Sequence, residues 1–151
     1  MTRARPITRV LLWVLAFFGA LPGVWAAFFP ESFYSDFPGV RPGWVSADGP
    51  YNEHLIRDVG AMFLALGVLA ALAAIGGQLR AARLAGAAWL VFNALHFAYH
   101  VRHLGVYQPI DQWLNVITEG GGVLLALAVL LIPGRRVSAD GQRSTAPAQG
   151  A

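Results

Sequence analysis

Cysteine is absent from this sequence. That excludes disulfides, thiolate catalysis and cysteine-ligated metal clusters. Charge is scarce as well. Asp, Glu, Lys and Arg together make up 13% of the chain, about half the ~25% of an ordinary soluble domain. Lysine is missing, so every basic side chain is arginine, and alanine is abundant. That is the composition of a high-G+C bacterial genome and carries no mechanism. Hydrophobic residues reach 56% over 151 residues. One domain of that length cannot bury so much apolar surface within itself, whereas a bilayer can. The net charge of +3 does not point to nucleic acid, because no basic stripe interleaves with aromatic residues.

The apolar residues gather into four runs, at about 10–29, 55–75, 84–101 and 113–132. Crossing ~30 Å of hydrocarbon takes about 20 helical residues, and a helix satisfies its own backbone groups in lipid. The predicted fold is therefore all-α, an integral membrane four-helix bundle over residues 1–135 with an outer loop at 30–53. Residues 136–151, RVSADGQRSTAPAQGA, are too small and polar to bury a core and are expected to form a disordered cytoplasmic tail. Pro22-Gly23 is expected to kink the first span, Gly76-Gly77 to end the second and Pro133-Gly134 to end the fourth. A rival reading makes the first run a signal peptide cleaved after Val24-Trp25-Ala26. The run exceeds the ~7–15 residues of a signal core, and Ala27-Phe28-Phe29 continue it. A retained span is the preferred reading.

Arginine sets the expected orientation. Arg3, Arg5, Arg9, Arg80, Arg83, Arg135, Arg136 and Arg143 fall at the N-terminus, the second loop and the C-terminus. Only Arg41, Arg57 and Arg102 fall on the other side. With Asp140 the first group nets +7; with Glu31, Asp36, Asp48, Glu53, Asp58, Asp111 and Glu119 the second nets −4, and the two sum to +3. Both termini are therefore expected on the cytoplasmic side of the cell membrane. The loop at 30–53 carries Phe33, Tyr34, Phe37, Trp44 and Tyr51 among its prolines and glycines. An interfacial aromatic belt is the preferred reading, and a folded lid over the bundle's outer mouth is the other.

All four histidines, and most polar residues within the spans, lie on the outer half. On the third span Trp89, Asn93, His96, His100 and His103 recur at helical spacing and share an arc of about 80°. On the fourth, Asp111, Asn115, Thr118, Glu119 and Gly122 share about 100°. On the second, His54, Asp58, Ala61 and Ala65 share a face, with Arg57 beside it and within i,i+4 reach of Glu53. The 1.5 Å rise per residue puts His96 and Glu119 at about 12 Å depth, His100 and Asn115 at about 6 Å and Asp58 at about 5 Å. His54, His103 and Asp111 fall at the rim, where a wet, interfacial role is the simpler reading. Asn93 suits an interhelical hydrogen bond. His96 and Glu119 are expected within hydrogen-bond or shared-ligand reach, since a charge at that depth costs at least ~2.5–3.5 kcal/mol and seeks a partner.

Several chemistries fit these groups. His96 and His100 lie i,i+4 and, with Glu119 or Asp58, form a candidate metal set for Zn, Fe or Mn. The supporting polar cluster is His54, Arg57, Asn93, His103, Asp111 and Asn115. A haem between His54 and a histidine of the third span is the runner-up cofactor. A proton path through His96, Glu119 and Asp58 and acid/base chemistry on a lipid-soluble small molecule are the other options. Gly120-Gly121-Gly122 allows a cavity or a close helix approach. The leading function is a metal-binding, oxidoreductase-like membrane protein. The alternative is a non-enzymatic accessory or transport-related protein whose cluster is structural or proton-conducting. The expected partners are the bilayer and a lipid-soluble small molecule, with no nucleic acid. Ala61-xxx-Ala65 and the small residues Ala81, Ala82, Ala85 and Gly86 predict a tight antiparallel pair between the second and third spans.

The segments FFPESFYSDFPG, GPYNEHLIRDVGAMFLALGVL and FNALHFAYHVRHLG resemble a group of uncharacterised four-span bacterial membrane proteins, loosely similar to the DoxX-like group. The resemblance covers about residues 10–132, and NEHLIRD is its most specific part. It implies a four-helix membrane bundle with an uncleaved first span, and it carries no established activity. Some DoxX-like proteins are linked with redox or thiol systems, and a chain without cysteine does not fit the thiol role.

Overall fold

The computed structural model describes residues 2–137. Four long helices dominate it: α1 (Pro6–Phe28), α4 (Glu53–Gly76), α5 (Leu79–Arg102) and α6 (Pro109–Leu131). Each is long and apolar enough to cross a membrane. Two short helices, α2 (Pro30–Asp36) and α3 (Trp44–Asp48), fall in the loop between α1 and α4. The molecule is thus an all-α membrane bundle. Local chemistry sets the element ends. Proline occupies the first turn of α1, α2 and α6, where its missing N–H has no helical partner to lose. Asn52 caps α4 by accepting the Leu55 amide at 3.1 Å. Gly77, at φ +62°, closes the same helix in the left-handed region. Pro22 sits buried inside α1, which continues through it to Phe28.

Both described chain ends meet at one end of the bundle. Strand β1 (Thr2–Arg3) pairs antiparallel with β2 (Arg135–Arg136), and Arg3 also bridges to Gln78 in the α4–α5 turn. Arg3 and Arg9 donate to the Gly76 and Ala74 carbonyls, both at 2.8 Å, and so satisfy the free end of α4. An even number of crossings returns the chain to its starting side. The tail expected at 136–151 begins on Arg136, which is part of β2, and from residue 138 onward it lies outside the described residues.

The most extensive packing is between α1 and α4. It is made by glycine. A Cβ on Gly19 would stand 2.6 Å from the Gly67 Cα, and one on Gly60 would strike the backbone of Ala26 and Ala27. These small residues let two backbones touch, which is how helices gain contact energy in lipid. The tight α4–α5 pair predicted from Ala61 and Ala65 is a correction. Both alanines are exposed, and α4 turns its Gly60–Gly67 face to α1 instead. The small residues early in α5 do pack: Ala82, Ala85 and Gly86 are buried, with Gly86 against Val129 of α6. The link between α4 and α5 is aromatic. Trp89, only 2% exposed, donates to the Leu66 carbonyl at 3.1 Å and clusters with Phe63 and Phe92.

Candidate functional site

The site lies between α5 and α6, in the half of the bundle away from the paired termini. Its floor is Asn93, buried on α5, whose Nδ2 donates to the Gly122 carbonyl of α6 at 3.0 Å. A Cβ on Gly122 would stand 3.2 Å from that side chain, so of the three consecutive glycines this is the one that admits the contact. Beneath Asn93 the packing of α5 on α6 is apolar, through Trp89, Ala85, Ala82, Ala126 and Val129, and the one buried polar side chain in that half among the described residues is Thr8 of α1.

One turn further from the paired termini, His96 Nε2 stands 3.7 Å from Glu119 Oε2. That is ion-pair reach and slightly beyond a hydrogen bond. The helix repeat brings this about, with each residue on the inward stripe of its own helix. The His96 imidazole stacks on Phe92, which fixes its plane, and meets the His100 ring edge to face at 4.5 Å. His100 Nδ1 is in turn hydrogen-bonded to the Tyr107 hydroxyl at 3.3 Å. Tyr107 is buried in the α5–α6 connection. Burial pushes its phenol above the usual tyrosine range, and the Asp48 carboxylate adds to that. The hydroxyl therefore keeps its proton and stays available as a donor. Glu119, His96, His100 and Tyr107 make a line of side chains from mid-bundle to the rim away from the paired termini.

The loop at 30–53 folds over this rim as a cap, so the cap reading, rather than a belt of separate interfacial rings, describes it. Aromatic contacts run from Trp25 of α1 through Phe33, Phe37 and Trp44 to Tyr107. Tyr34 donates to the Gly49 carbonyl at 2.9 Å. The anchor is Asp111. Arg41 engages both of its oxygens, with Nη2 at 3.0 Å from Oδ2, and Trp44 Nε1 donates to Oδ1 at 3.2 Å. Hydrogen bonding to Asp111 raises the Arg41 pKa still further. Asp111 itself is only 7% exposed. The wet, interfacial role expected for it is therefore corrected. The residue is a buried clamp that ties the cap to α6. Sequence reasoning counted Arg41 only as an outer charge and passed over Tyr107.

The remaining expected residues divide as follows. His54 and Asp58 pair with each other across one turn of α4 at 3.3 Å, with side chains 88% and 63% exposed, and take no part in the His96–Glu119 contact. Arg57 pairs with Glu53 at 2.8 Å and also donates to the Ala27 carbonyl at the end of α1. His103 is exposed, stacked on Tyr99 and bonded to its carbonyl at 2.8 Å. Asn115 is buried but donates to its own helix, to the Asp111 carbonyl at 3.2 Å. Thr118 likewise turns back on α6. Among the described residues, no three His, Asp or Glu side chains are placed to hold one metal ion. The quartet His96, His100, Glu119 and Asp58 is not brought together: Asp58 is exposed and pairs with His54 on its own helix.

A family model, described as a domain of unknown function (DUF4345), matches residues 7–95. The chain belongs to the DUF4345 family. The match runs from α1 to the His96 turn of α5, so it takes in the glycine-packed α1–α4 pair and the cap, and it stops short of His96, His100 and all of α6. No curated protein and no solved structure matches the chain.

Proposed function

We propose that this DUF4345 protein carries a one-sided proton-exchange site. In this reading the His96–Glu119 pair takes up and releases protons at the outer face through His100 and Tyr107, under the cap clamped by Arg41 and Asp111. The observation that carries it is the row of adjoining titratable side chains from Glu119 through His96 and His100 to Tyr107, hydrogen-bonded at its Tyr107 end. Ionisable residues at membrane depth generally mark such relays, and histidine is the side chain best suited to exchange protons near neutral pH. The apolar packing beneath Asn93 supports a dead end rather than a channel. The charge asymmetry of +7 against −4 supports an orientation with both termini cytoplasmic and the site on the outer side. The protein is then a non-enzymatic accessory of the cell membrane that handles protons for a partner or a small molecule.

Histidine-selective NMR of the protein in lipid nanodiscs tests this. His96 and His100 should titrate as a coupled pair, Glu119→Gln should uncouple them, and Tyr107→Phe should alter the His100 tautomer without unfolding the bundle. Proteoliposomes should show no sustained proton flux. Imidazoles blind to bulk pH, or a steady flux, would sink the reading. One observation favours a second reading. His96 and His100 adjoin each other beside Glu119, and modest side-chain rotation would point all three at one divalent ion. Stoichiometric metal in tag-free protein, lost in His96→Ala and Glu119→Ala but kept in Asp58→Ala, would establish that reading instead.

A further inference from the structure

At the opposite end of the molecule a groove of about 660 Å³ opens between β1, the start of α5 and the end of α6. Its size falls within the ~300–1,000 Å³ of small-molecule sites. Its polar wall is Arg3, Arg80 and Arg83, and its apolar wall is Leu79, Leu84 and Leu130. Arg80, Arg83 and Leu84 are i, i+3 and i+4 on α5, so one helix face presents two guanidinium groups and, beside them, an aliphatic side chain that is 61% exposed. Arg3 is already engaged with the Gly76 carbonyl. Among the described residues neither Arg80 nor Arg83 has an ion-pair partner. Among the described residues none is at hand, because every acidic side chain there lies in the cap, in the first two turns of α4, in the first turn of α6, or at Glu119.

We infer that this groove binds the head group of an anionic phospholipid. The guanidinium groups of Arg80 and Arg83, without an ion-pair partner among the described residues, match a phosphodiester, which arginine recognises through paired N–H donors. The position matches the boundary where lipid phosphates lie, just beyond the apolar length of α5. Leu84 and Leu130 continue the groove onto the hydrocarbon-facing surface, a wall that an acyl chain would cover and a soluble anion would not need. Basic pockets between helices at this depth suit lipid head groups. The inference stands apart from the outer-face proton site and from the orientation of the chain.

Thermal unfolding of the delipidated, full-length protein in mixed micelles tests it. Phosphatidylglycerol should raise the Tm, whereas phosphatidylcholine and inorganic phosphate at equal concentration should not. In Arg80→Gln/Arg83→Gln the lipid concentration for half effect should rise about thirtyfold, since each basic residue at an anionic surface is worth a factor of about five. Arg102→Gln, at the other end of α5, should leave the response intact. Native mass spectrometry of the wild type needs no variant and should retain phosphatidylglycerol over phosphatidylcholine. Equal retention of the two lipids, an equal response to inorganic phosphate, or an unchanged response in the double variant would overturn the proposal.

Discussion

The two best-packed interfaces of the bundle are built on opposite principles. Between α1 and α4 the helices touch backbone to backbone through Gly19, Gly60 and Gly67. Between α5 and α6 the contact includes polar side chains: Asn93 on the Gly122 carbonyl and His96 beside Glu119. Shape holds the middle of the first pair, with arginine hydrogen bonds only at its two ends, from Arg9 to the Ala74 carbonyl and from Arg57 to the Ala27 carbonyl. The second keeps polar groups in the interior, at a cost that lipid makes large, and so holds the groups that can react. Scaffold and site thus occupy different helix pairs, and the cap, anchored on Asp111 of α6 and reached from α1, joins them.

The largest effect should come from filling the scaffold interface. In Gly60→Val the new side chain would meet the backbone of Ala26 and Ala27, and backbone cannot swing aside. Overpacking commonly costs ~1–3 kcal/mol and sometimes more, and a clash with backbone belongs at or above the top of that range. Thermal unfolding in micelles should show the loss. Wild-type stability would mean that α1 and α4 are not in backbone contact there.

A smaller effect is expected where cap meets site. Arg41→Ala leaves the buried Asp111 carboxylate with Trp44 as its remaining side-chain donor. The Tm should fall by roughly 2–4 °C, the shift that a modest loss produces in a chain of this size. Adding Asp111→Asn should recover part of the drop, because an unpaired buried charge is worse than a neutral amide. If the double variant were no better than Arg41→Ala, the clamp would owe its strength to shape rather than to charge. Limited proteolysis within 38–43 should rise in step with the loss.

Long-period features were legible in the sequence. The four apolar runs follow from bilayer thickness, and the facing of His96 and Glu119 follows from 3.6-residue periodicity combined with equal depth. What was not legible depends on which helix neighbours which. Periodicity placed His54 and Asp58 on one face of α4 but could not say that α4 would turn its glycine face to α1 and leave those side chains outside. The clamp was hidden for a related reason. Arg41 and Asp111 are 70 positions apart, and nothing local to either residue names the other. The aromatic content of the loop was visible, but an interfacial belt and a folded cap use the same residues.

The smallest expected effect separates the helix pairing seen here from the one periodicity suggested. Ala61 and Ala65 form a small-residue stripe, which read from sequence alone argues for a tight contact with α5 and predicts that Ala65→Leu loosens the fold. In the structure Ala65 is exposed on the lipid-facing side of α4, and the buried small residue is Gly67, whose added Cβ would stand 3.2 Å from the Ala16 carbonyl oxygen. A leucine at 65 would then meet acyl chains, in which it is as much at home as alanine. Ala65→Leu should shift stability by no more than ~0.5 kcal/mol, as surface substitutions do, while Gly67→Leu, only two residues further along the same helix, should destabilise strongly. Thermal unfolding of the two variants side by side makes the comparison within one helix and one lipid environment. A destabilised Ala65→Leu beside a tolerated Gly67→Leu would rotate α4 about its axis, return its Ala61–Ala65 face to α5 and dissolve the division between a glycine-packed scaffold and a polar site.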